Sequence, residues 1–168
     1  MRRMLIVAML LTASLVLLSG LGVSAAALGG ATAATSRAVV KVAYNKRLDT
    51  SILVDGSGRT LYMFTEDHGA AKLCTPRGPW GAACPAIWPP LTGRGKPQAG
   101  QGINSALFGV TKRSDGKSQI TYNRHPLYYF HGGSGAPAGD KKPGDINGQG
   151  FASEWYVLSP KGAPIRKL

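Results

Sequence analysis

Leu61-Tyr62-Met63-Phe64 returns 66 residues later as Leu127-Tyr128-Tyr129-Phe130, and the reading of the fold follows from this recurrence. A second pair accompanies it: Trp88-Pro89-Pro90-Leu91 is matched 67 residues on by Trp155-Tyr156-Val157-Leu158. Each half therefore runs strand, turn, strand ending in Tyr-x-Phe, irregular loop, then Trp. Residues two apart share a strand face, so Tyr62 and Phe64 lie together with Leu61 and Met63 opposite. Tyr128 and Phe130 repeat this, with Leu127 and Tyr129 opposite. Both faces are apolar, which predicts strands covered on both sides. One unit of this size buries too little by itself, so two modules sharing a core are expected, over about 39–91 and 107–160.

Working outward, short β-branched and aromatic runs alternate with Gly, Pro, Asp and Asn clusters. They predict strands at Val39–Tyr44, Ile52–Asp55, Thr60–Phe64, Leu107–Arg113, Gln119–Tyr122, Leu127–Phe130 and Trp155–Leu158. Asp55-Gly56-Ser57-Gly58 and Ser114-Asp115-Gly116-Lys117 are turn sequences. Gly81–Trp88 has room for one helical turn, stopped by Pro89-Pro90. Thr92–Asn104 and His131–Gly150 are long Gly/Pro-rich loops, and loops of that length lean toward function or mobility. The expected class is all-β and mostly antiparallel, with duplicated modules in one domain and little helix beyond the N-terminal segment.

That segment opens with Arg2 and Arg3, and no further charge follows until Arg37. An apolar run through Leu18 leads to small-residue exits at Val23-Ser24-Ala25 and Ala31-Thr32-Ala33. This is the pattern of a secretory signal peptide, placed over residues 1–33. Cleavage after Ala25, cleavage after Ala33 and retention as an anchor all fit, and a membrane enters only in the last case. Lipid anchoring is not expected, because the first cysteine is Cys74. Residues 34–168 then form a single β-rich domain outside the cytoplasm, in the envelope or secreted. There Cys74 and Cys84 are expected to form a disulfide, since C-x9-C without further ligands is a poor zinc site.

Beyond residue 33 the chain carries 18 Lys and Arg against 8 Asp and Glu, a net charge of +10. Such a charge favours anionic partners such as wall or envelope polymers. No basic helix or basic stripe interleaved with aromatics is present, so nucleic acid is not expected as a partner. Oligomeric state is left open.

Nucleophile and nucleotide motifs break on inspection. His131-Gly132-Gly133-Ser134-Gly135 is followed by Ala136 where a nucleophile elbow needs glycine. Gly116-Lys117-Ser118 lacks the upstream P-loop glycine, which is Thr111 here. No catalytic residue and no cofactor is expected, and the chain reads as a non-enzyme. His68, His131 and Met63 are weak candidates for a soft-metal site across the two halves. Asp140, Asp145 and Asn147 share one Gly-rich loop but lack calcium-loop spacing.

The segments around Tyr62, Phe64 and Asp67, around Trp88-Pro89-Pro90-Leu91, and around Tyr128-Tyr129-Phe130 and Trp155 resemble the bacterial secreted-repeat proteins of predicted lipoprotein type. Their signature is Tyr, any residue, an aromatic, two residues, then Asp. The resemblance covers about residues 50–160 and implies export, a duplicated β-module and an unassigned biochemical role, with an association with growth on alkanes. This sequence departs from the pattern in four places. Gly133 stands where the second Asp is expected, so two symmetric carboxylates are not anticipated. Asn123-Arg124 replaces Asn-Gly in a hairpin turn, the cysteine loop is longer, and the lipidation cysteine is missing.

Buried Tyr and Trp serve packing first. Tyr62, Phe64, Tyr128, Phe130, Trp88 and Trp155 are thus expected as an aromatic core, with Asp67 fixing the turn after its strand. The rival reading makes these rings a ligand platform. The functional expectation is a secreted or envelope binding or structural module. A metal- or redox-related exported protein and a binder of small apolar ligands are the alternatives.

Overall fold

Val39–Asn45 (β1) and Thr50–Asp55 (β2) pair antiparallel, from Val40 opposite Asp55 to Asn45 opposite Thr50. The turn between them is built by a side chain: Asn45 Oδ1 accepts the N–H groups of Arg47 and Leu48, each at 3.1 Å. A computed structural model describes residues 37–68, 73–78, 80–133 and 135–168, so the segment expected to be a signal peptide lies outside the described residues. After β2, Asp55 bends the chain back by accepting the N–H groups of Ser57 and Arg59. That turn delivers Tyr62–Phe64 (β3).

A single α-turn, Cys84–Ile87 (α1), follows the cysteine loop. Gln98–Ala99 (β4) then lies parallel to the start of β1. Phe108–Lys112 (β5), Ser118–Tyr122 (β6) and His125–Pro126 (β7) form an antiparallel meander, and Trp155–Val157 (β8) pairs antiparallel with β3. The protein is an all-β fold with one short α-helix among the described residues.

The hydrogen bonds at the centre repeat across the two halves. Tyr62 and Tyr128 exchange both backbone bonds, each at 2.9 Å. On the far side of Tyr62 lies Val157, and on the far side of Tyr128 lies Pro90. Leu61 donates to Leu53 O (3.1 Å) as Leu127 donates to Ile120 O (3.0 Å). Leu53 donates to Leu158 O (3.0 Å) as Ile120 donates to Leu91 O (2.9 Å). Each Tyr-x-Phe segment therefore packs its strand against the Trp segment of the other half.

The central layer is buried on both faces. Tyr62, Phe64, Trp88, Tyr128, Phe130, Trp155 and Val157 point into one cluster. Leu53, Leu61, Met63, Leu91, Ile120, Leu127, Tyr156 and Leu158 fill the other. The period-two assignment of these residues to opposite faces matches what is seen.

Three local expectations differ from the structure. Leu127–Phe130 is not a continuous strand; Tyr128 makes isolated bridges to Tyr62 and Pro90. Its neighbour carries Pro89 and Pro90, which have no N–H to return, so Pro89 only accepts, from Tyr129 N at 2.8 Å. Thr92–Asn104 is not irregular throughout, because β4 forms within it. Thr60 likewise lies outside β3 and meets Val54 in a single bridge.

Candidate functional site

The rings of the repeated segments form one stack. Trp88 and Trp155 lie parallel, 3.9 Å between centroids and 4° between planes. Phe64 continues the stack on Trp155 at 4.3 Å and 11°, and Phe130 packs on Trp88 at 4.4 Å, tilted by 36°. Tyr62 meets Trp88 edge-on, and Tyr128 meets Trp155 the same way. Both tryptophans are fully buried, and neither indole N–H has an acceptor. Gly148 makes room for the stack, since a Cβ there would sit 2.5 Å from the Trp88 ring.

Each phenol crosses to a carboxylate of the other half. Tyr128 Oη donates to Asp67 Oδ2 at 2.9 Å, and Tyr62 Oη donates to Asp140 Oδ2 at 2.7 Å. Burial raises the Asp67 carboxyl to about 7 against the opposing pull of the Tyr128 hydrogen bond and of Arg113, and its Oδ1 has no partner. Burial likewise raises Asp140 to about 6, opposed by Tyr62 and by the Asn147 N–H. Both phenols are pushed up by burial and by their carboxylates.

Asp140 corrects the sequence expectation that Gly133 leaves the second half without a carboxylate. The chain makes an excursion after His131, closed by a bridge between Gly132 and Ala138, and Asp140 returns to the vacated place. The backbone shows the equivalence: Asp67 N–H donates to Phe64 O at 3.3 Å, and Asp140 N–H to Phe130 O at 3.0 Å. Fixed-register comparison with the first half misses it because of the seven extra residues.

Cys74 and Cys84 form a disulfide inside the aromatic cluster. The Cys74 N–H donates to Tyr128 Oη at 3.2 Å. Its carbonyl accepts from Arg113 Nη2 at 2.6 Å, while Arg113 Nη1 reaches Gln119 Oε1 at 2.6 Å. Arg113 is 4 % exposed, a buried cation at the end of the strand expected over Leu107–Arg113. Its counterpart in the first half is Asn45, whose Nδ2 donates to Gly144 O at 3.0 Å. In both halves a side chain at the end of a hairpin strand, Asn45 in β1 and Arg113 just past β5, ties down a crossing loop.

Met63 faces the aliphatic cluster, on the opposite side of its strand from the aromatic rings, while His68 and His131 are exposed. Among the described residues no group of three His, Cys, Asp or Glu is placed to hold a metal ion. Asp140, Asp145 and Asn147 cap their own loop instead: Asp145 Oδ2 accepts the N–H groups of Lys141 and Lys142. Ser134 lies outside the described residues.

The distribution of charge is uneven. Asp49 takes the Tyr44 hydroxyl, Asp55 takes Arg59 and the Tyr129 hydroxyl, and Asp115 takes Arg113. With Asp67, Asp140 and Asp145, six of the eight acids accept hydrogen bonds from within the chain, Asp49 and Asp115 doing so at the exposed surface. Only Arg59–Asp55 and Arg113–Asp115 are ion pairs among the described residues. Most cations are left facing solvent. Arg37, Arg94 and Lys96 line a cleft of about 420 Å³ at the Thr92 loop, with no carboxylate in its wall. A groove of about 630 Å³ along β1 and β2 carries Lys41, Lys46, Arg47 and Lys142.

Comparison with known proteins places part of this arrangement. Residues 109–159 match a family model described as a secreted repeat of unknown function. No curated protein and no solved structure matches the chain. The matched span begins within β5 and runs past β8, so it contains one Tyr-x-Phe segment, its returning Asp140 and its Trp. Residues 109–159, with Tyr128, Phe130, Asp140 and Trp155, are thus similar to the secreted repeats of unknown function.

Proposed function

We propose that this protein is a non-enzymatic binding module of the cell envelope, held electrostatically on anionic wall or envelope polymers. The observation that carries the reading is the excess of charge: beyond residue 33 the chain carries 18 cations against 8 acids, and among the described residues only Arg59 and Arg113 are in ion pairs. Arg37, Arg94 and Lys96 converge on one cleft, and a chain of phosphates or carboxylates laid there meets three positive groups and no negative one. The aromatic rings support this division of labour. They are buried in the core rather than open to a ligand, and the disulfide fastens the loop beside them.

The test is retention on immobilised polyphosphate and polygalacturonate across a salt gradient. Retention that falls steeply as salt rises, and that weakens in an Arg37→Gln, Arg94→Gln, Lys96→Gln variant, is the expected result. Retention indifferent to ionic strength would defeat the proposal.

A further inference from the structure

The groove along the β1–β2 hairpin differs in kind from the Arg37 cleft. Its bed is apolar, made by Ala43, Ile52, Val54 and Pro143, and its rim is basic. Tyr44 stands at that rim 60 % exposed, a large aromatic side chain left in water where the hairpin turns. Lys46 and Arg47 follow it in the turn, Lys41 and Lys142 flank the bed, and Lys167 Nζ rests on Leu48 O at 3.2 Å. Two carboxylates lie nearby, Asp49 accepting from the Tyr44 hydroxyl and Asp145 from the Lys141 and Lys142 N–H groups, against the four cations of the groove.

A polymer of charged sugars or phosphates has no use for an apolar bed. An amphiphile does: its anionic head meets the rim while its upper methylenes lie on the floor. Tyrosine beside lysine and arginine is the side-chain set that settles at the boundary of an anionic bilayer. We propose that the β1–β2 hairpin tip and the facing Lys142–Asp145 loop dock this protein peripherally on an anionic lipid surface. The site is separate from the Arg37 cleft and shares no residue with it.

The experiment is co-sedimentation of the protein recovered from culture medium with vesicles of phosphatidylcholine alone and of phosphatidylcholine with phosphatidylglycerol. Binding to the anionic vesicles only is expected. Lys46→Gln, Arg47→Gln, Lys142→Gln weakens it ~100-fold. Tyr44→Ser weakens it several-fold. All substituted positions are on the surface, and an unchanged thermal melt verifies folding. Arg37→Gln, Arg94→Gln, Lys96→Gln leaves vesicle binding unaltered and lowers polymer retention, which keeps the two proposals separable. Equal binding to uncharged vesicles, or full binding by the Lys46, Arg47, Lys142 variant, would overturn the inference. So would binding of polymer but not of vesicles through these same three residues.

Discussion

Asp67 and Asp140 occupy equivalent positions in one crossed arrangement, each accepting the phenol of the tyrosine that begins the other half's Tyr-x-Phe segment, Tyr128 and Tyr62 respectively. The exchange is chemical as well as geometric. Each half supplies the hydroxyl that one carboxylate needs once burial has taken its water away. The two halves are thereby bound by polar contacts that neither can make alone.

Both carboxyls are raised above their ordinary range, Asp67 to about 7 and Asp140 to about 6. The folded state therefore binds protons more readily than the unfolded chain. The resulting stability is fully present below the unfolded pKa and is lost as pH rises through about 6 and about 7. Relative to Asp67→Asn, the natural protein is expected to lose about 1–3 kcal/mol between acidic and mildly alkaline pH. His125 is shifted down by burial and gives an opposite slope, which cancels in that difference. Thermal melts of both proteins from pH 4 to about pH 8 check this; parallel curves would refute it.

Reducing the Cys74–Cys84 bridge releases a short loop and lowers stability by about 2–3 kcal/mol on the chain-entropy account. Cys74 also contacts Tyr128 and Arg113, so the near-ultraviolet dichroism of the aromatic cluster changes with it. Urea melts with and without reductant measure the first effect.

Trp88 separates volume from polarity. Its N–H has no acceptor, so Trp88→Phe gives up packing but no hydrogen bond and is expected to cost about 1–2 kcal/mol. Trp88→Ala opens a cavity against Trp155 and Phe130 and costs about 3–5 kcal/mol. Chemical denaturation of the two variants gives the ratio.

Asn123 and Arg124 hold φ of 46° and 70°, the pair of left-handed residues that a tight hairpin turn demands. Arginine has a Cβ to accommodate there. Arg124→Gly is expected to stabilise the protein by about 1 kcal/mol, read as a raised denaturation midpoint.

Local periodicity settled a large part of this protein. The alternation in Leu61–Phe64 and Leu127–Phe130 was enough to assign Tyr62, Phe64, Tyr128 and Phe130 to one cluster and Leu61, Met63, Leu127 and Tyr129 to the other, because side-chain direction in a strand depends only on adjacent residues. Cysteine spacing and turn chemistry are local in the same sense, and the disulfide and the Ser114–Lys117 turn were legible for that reason. What the chain order concealed is which distant groups meet. Asp140 reaches its place only because a seven-residue excursion closes on itself, and Arg113 is buried only because the cysteine loop crosses above it. The pairing of acids with cations belongs to the same class, since a count of charges says nothing of which ones meet. Those outcomes depend on contacts between residues far apart in sequence, where a partner is selected by the path of the folded chain.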